Sequence, residues 1–96
     1  MMFILTIEGK EDEGAYSVID EEGEKALYLF VDYDDAERYA GLLEAEDYPK
    51  MSVAEVEDEL AIKTCEMYGY HYVIITPNEF VIPPRDYDLI QANNLS

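Results

Sequence analysis

The apolar residues of this chain change period at Asp32, and that switch constrains the fold more than any other feature. Before it, Met2–Ile7, Ala15–Ile19 and residues 25–31 are short runs of bulky apolar side chains separated by charged, Gly-containing turns, the pattern of strands. The second and third runs are separated by residues 20–24, which include Gly23 and suit a hairpin. After the switch, Ala36, Tyr39, Ala40 and Leu43 recur at i, i+3, i+4 and i+7, one face of a helix. Asp34 and Glu37 have capping-box spacing, and Asp32, Asp34 and Asp35 all favour the positive helix start. Pro49 cannot continue the helix and pushes Tyr48 out of the α region, so this helix ends by Asp47.

Ser52 and Glu55 repeat the capping-box spacing and predict a second helix with Val53, Val56, Leu60, Thr64 and Met67 on its buried face, closed by Gly69. Residues 70–76, rich in Tyr, Val and Ile, read as a strand. Pro77, Asn78 and Glu79 turn the chain, and residues 80–82 form a last short strand stopped by Pro83 and Pro84. The expected order is βββααββ, an α+β fold with two helices on one face of a small antiparallel sheet. One domain spans residues 1–84, and the tail 85–96, without a clear period, is expected to be partly ordered.

The net charge is −17, from 23 acids against six Lys and Arg, yet 49% of the residues are hydrophobic. Disordered acidic tails lack that apolar content, so the chain should fold under an anionic surface. Phosphate neutralisation supplies most non-specific nucleic-acid affinity, so the charge argues against direct binding to nucleic acid. No run approaches the roughly 18 apolar residues of a membrane span, and the start lacks the basic residues of a signal peptide. A single cysteine, Cys65, leaves no internal disulfide, and a reducing, cytoplasmic compartment is the expectation.

Chemistry-bearing constellations are few. Cys65 and His71, six residues apart, would need hydrogen-bond contact to act as a nucleophile and base, and the surroundings are negative where a reactive thiolate wants positive charge. Glu44, Glu46 and Asp47 offer oxygens to a hard cation, but without a ligand-wrapping loop they read as a solvated helix end. No phosphate-binding loop is present, no cofactor is expected, and the chain reads as a non-enzyme. Nine tyrosines are too many for so small a core. Tyr48, Tyr68, Tyr70 and Tyr87 flank turns and helix ends, where their amphipathic rings suit a contact surface.

Three stretches carry a family resemblance: residues 13–18, residues 30–49 with their Asp35–Pro49 centre, and Gly69-Tyr70 followed by Pro77 and the Pro83-Pro84 stop. They resemble a small family of cyanobacteria and chloroplasts, the domain of unknown function 3110 type. The resemblance implies a photosynthetic lineage, a compact α+β domain in the cytoplasm or stroma, and no assigned reaction. It places Glu44, Asp47, Tyr48 and Pro49 in the family's signature segment; the loop 9–13 and the tail after Pro84 fall outside it.

Together these features predict a regulatory or protein-binding module that docks on a basic patch of a larger protein, through Glu44, Asp47 and Tyr48, with Tyr70 nearby if the helices form a hairpin. The alternative is a nucleic-acid mimic that presents carboxylates where phosphates would lie to a DNA- or RNA-binding protein. A homodimer through a free sheet edge is compatible with the pattern, against the repulsion of like charges.

Overall fold

The computed structural model describes residues 1–77 and the backbone of 87–90. The elements run β1 (Met2–Ile7), a 3₁₀ turn (Glu11–Glu13), β2 (Ala15–Ile19), β3 (Lys25–Phe30), α1 (Tyr33–Ala45), β4 (Met51–Val56), α2 (Asp58–Tyr68), β5 (His71–Ile75) and β6 (Tyr87–Ile90). The fold is α+β. Five strands lie in the order β4-β1-β2-β3-β5, β6 pairs with β2, and β1 also meets β3 through Phe3 opposite Phe30. The expected strand at 80–82 and its flanking Pro83-Pro84 stop lie outside the described residues.

Three expectations are corrected. First, residues 51–56 are a strand and not the start of the second helix. All six pair with β1, from Met2 opposite Val56 to Ile7 opposite Met51. Ser52 and Glu55 have the spacing of a capping box, but Val53 and Val56 prefer a pleated surface, and a full ladder outweighs a local cap. Second, the sheet is mixed: β3 and β5 run parallel from Ala26 opposite His71 to Phe30 opposite Ile75, and every other pair is antiparallel.

Third, the helices cover opposite faces. Both β3 and β4 run antiparallel to β1, so they are parallel to each other, and β5 is parallel to both. The β3-α1-β4 crossover therefore moves toward one edge of the sheet and β4-α2-β5 back toward the other. Parallel crossovers keep one hand, and one hand in two opposite directions needs opposite faces. The side chains agree. Leu5, Ala26 and Phe30 cluster with Ala36, Tyr39, Ala40 and Leu43 of α1. Their neighbours Ile4, Leu27 and Leu29 cluster with Ala61 and Cys65 of α2.

The α1 face expected from the sequence is buried at all four positions, Ala36, Tyr39, Ala40 and Leu43. The cap differs slightly, because the Asp32 carboxylate, two residues before Asp34, accepts from the Asp34 N–H at 3.0 Å. On α2 the buried face is Ala61, Thr64 and Cys65, while Leu60 and Met67 face outward. Val53 and Val56, which anchor the expected face, belong to β4 and do not set the orientation of α2.

Tyr39 anchors α1 to the sheet. Its ring lies 5.5 Å from Tyr16, 5.6 Å from Tyr28 and 5.4 Å from Phe30. Its hydroxyl is 2.8 Å from that of Tyr16, one donating to the other in a buried site. Burial, then the Tyr16 bond, pushes the Tyr39 phenol far above its ordinary range, so it stays neutral. Tyr39→Ala is expected to cost about 3–5 kcal/mol in denaturant unfolding, through the cavity under α1. Tyr39→Phe should cost about 1 kcal/mol, one buried hydrogen bond. Equal costs for the two would show that the ring contributes nothing beyond its hydroxyl.

Candidate functional site

Glu44, Asp47 and Tyr48 share the C-terminal corner of α1, where the chain leaves the helix. The Tyr48 N–H donates to the Leu43 carbonyl at 3.0 Å and the Asp47 N–H to the Glu44 carbonyl at 3.1 Å. This pair of bonds is the Schellman ending, which needs a left-handed residue between helix and exit. Asp47 is that residue, with φ 67°, the only non-glycine at positive φ among the described residues. Tyr48 is half-buried and packs on the α1-side cluster with Leu43, the apolar contact that accompanies such an ending. Its ring thus has a structural role as well as an exposed part.

The charges of this corner work against the helix. Glu44, Glu46 and Asp47 are exposed, and the last turn carries no base, although a helix C-terminus favours positive charge. Lys50, the nearest base in sequence, stands 3.6 Å from Glu8 across the β1–β4 pair. Among the described residues no three acidic, His or Cys side chains converge to hold a metal ion.

Tyr70 occupies the equivalent position after α2. Its N–H donates to the Cys65 carbonyl at 2.8 Å, Gly69 supplies the left-handed step at φ 72°, and its ring packs on the α2-side cluster. Because β4 separates the helices and they lie on opposite faces, Tyr70 does not join Glu44, Asp47 and Tyr48 in one patch. Of the other two tyrosines expected outside, Tyr68 is exposed and 6.1 Å from Tyr70, ring to ring, while the side chain of Tyr87 lies outside the described residues.

Cys65 and His71 have separate surroundings. Cys65 is fully buried in the α2-side cluster, where burial and then Glu66 raise its thiol above the ordinary range. His71 Nδ1 lies 2.8 Å from Asp20 Oδ2 and ties β5 to the β2–β3 turn. The other oxygen of Asp20 accepts from the Glu22 and Glu24 N–H groups at 3.0 and 2.8 Å, which builds that turn. This contact links residues 51 apart and escaped the sequence reading; its one legible sign was an Asp opening a Gly-containing turn. No helix among the described residues is long and apolar enough to cross a membrane.

Two expectations follow. Asp47 carries both left-handed strain and an adverse charge, so Asp47→Gly is expected to stabilise the fold by about 1 kcal/mol, read from urea midpoints. A loss of stability would mean that its side chain holds the corner together. For the pair, the Asp20 bond raises His71 above its ordinary 6.5. Backbone bonding from Glu24 and then His71 hold Asp20 below 3.8. The contact thus stabilises fully between these values, fades as pH rises through the folded His71 pKa, and fades again as pH falls through that of Asp20. His71→Gln should lower the melting temperature more at about pH 6 than at about pH 9, and an equal effect at both would exclude a charged pair.

A family model described as "Domain of unknown function (DUF3110)" matches residues 2–85. No curated protein and no solved structure matches the chain. The match takes in every described element from β1 to β5, including both helix endings and the turn at Asp20, and the chain belongs to this family of unknown function.

Proposed function

We propose that the chain is a non-enzymatic binding or regulatory module that docks on a basic surface of a larger protein through the acidic end of α1. The observation that carries this reading is the corner itself. Glu44, Glu46 and Asp47 stand exposed where their charge opposes the helix, and Asp47 adds a left-handed backbone. Charges placed against local stability, in a helix turn without a base, are explained by a partner that supplies the positive charge. Tyr48 beside them offers an amphipathic ring for the same contact. The cytoplasm or stroma of a photosynthetic organism is the proposed setting, supported by the resemblance of residues 30–49 and by a lone, buried cysteine.

The test is affinity capture with the full chain as bait, at about 0.05 M and about 0.5 M salt. The reading expects a partner with a basic surface, retained at low salt and lost at high salt. The triple change Glu44→Gln, Glu46→Gln, Asp47→Asn should weaken it about tenfold. A partner that ignores both salt and the triple change overturns the assignment of this corner. Displacement of the partner by duplex DNA would instead favour mimicry of nucleic acid.

A further inference from the structure

We propose that the outward stripe of α2 formed by Leu60 and Met67, bordered by Glu59 and Glu66, is a docking surface for a basic amphipathic helix of a partner protein. The inference rests on the reading of the chain as a binding module for a basic partner, and it places an apolar contact on the face of the sheet opposite the acidic corner. Leu60 and Met67 are i, i+7 on the helix and 38% and 76% exposed. Glu59 and Glu66 form a parallel row one residue away with the same spacing, and both are exposed. Each row spans two helical turns, about 10.5 Å. Lys63, the only base of α2, lies between the rows. Exposed Tyr68 extends the apolar side toward Tyr70.

Single exposed apolar residues are ordinary, but an aligned pair beside an aligned acidic pair specifies an occupant. A helix with apolar residues two turns apart and Lys or Arg alongside would set the first on Leu60 and Met67 and the second on Glu59 and Glu66. A flexible Met at the most exposed position suits such a contact. A second copy fits poorly, because it would bring two acidic rows together in a complex of two chains of charge −17. An anionic membrane surface is repelled for the same reason.

The probe is a synthetic Leu/Lys amphipathic helix of about 18 residues, titrated into the isotope-labelled full chain by NMR. Amide shifts should centre on residues 59–68. The double change Leu60→Glu, Met67→Glu should weaken binding at least about tenfold, although it adds two attractive charges; Glu44→Gln with Asp47→Asn should change it less than about twofold. Tighter binding by the double variant overturns the proposal, since charge alone would then be the cause. So do shifts confined to the α1 corner. Self-association that is lost in Met67→Glu, or a Met67 methyl shielded from a soluble paramagnetic probe, identifies another occupant and also overturns it. Circular dichroism reports whether the double variant folds, and Met67→Gln, at the more exposed position, provides the same test by loss of affinity if it does not. Failure of the capture experiment at the α1 corner leaves this titration unaffected, so the two readings fall separately.

Discussion

The architecture depends on two crossovers of one hand that travel in opposite directions across the sheet. Once α1 carries the chain from β3 to β4, at one edge, and α2 returns it to β5, at the other, the helices must lie on opposite faces. The central strands are then covered on both sides. That is why β1 reads Met-Phe-Ile-Leu-Thr-Ile and most of β3 Ala-Leu-Tyr-Leu-Phe, without polar alternation. It also explains how a chain of net charge −17 folds: the sheet interior is closed to charge, and most described carboxylates lie in turns, at helix ends or on outward helix faces, with Glu55 exposed on the edge strand β4.

The two faces are built differently. Against α1 the sheet uses Tyr16, Tyr28 and Phe30 around Tyr39, and the buried Tyr16–Tyr39 hydroxyl pair lets polar rings serve as core. Against α2 it uses Leu27, Leu29 and Ile4 with the small Ala61 and Cys65, so that helix can approach closely. Thr64, in the same turn, spends its hydroxyl on the Leu60 carbonyl at 2.8 Å. Both helices end by one device, a left-handed residue followed by a tyrosine that folds back on the cluster of its own face. Gly69 adopts that backbone at no steric cost, whereas Asp47 does not. The difference marks the α1 end as the place where sequence and local stability disagree.

Local signals were legible and long-range ones were not. The β1 and β2 boundaries, the buried face of α1 and its end before Pro49 follow from periodicity and proline sterics within a few residues. The strand 51–56 did not, because Ser52 and Glu55 imitate a helix start and only the ladder to β1 decides between the two. Read as helix, residues 51–56 leave no strand between the two helices and allow both to lie on one face. The unbroken apolar runs of β1 and β3 were the available sign of cover on both faces. β6 pairs four residues with β2 and has no period of its own to betray it. Of the candidate site, Glu44, Asp47 and Tyr48 came together because they adjoin in sequence. Tyr70 lies apart because β4 separates the two helices, and the Asp20–His71 contact spans a distance no local pattern encodes.

The acids divide by what holds them. Asp20 builds a turn and binds His71, Asp32 caps α1, Asp35 is buried against Arg38 at 2.8 Å, and Asp58 meets the chain's own ammonium at 3.0 Å. All four are aspartates, which keep few rotamers to lose, and Asp20 and Asp32 reach nearby backbone N–H groups; Glu8 is held too, 3.6 Å from Lys50. Glu44, Glu46, Asp47, Glu59 and Glu66 are instead exposed, the first three at the C-terminal end of α1 and the last two along α2. An acid that caps or pairs answers to the fold and would be needed whatever the protein does. The acids at the α1 end, which the helix repels, and those beside Leu60 and Met67 are the ones the two proposals assign to partners, and they fall on opposite faces of the sheet.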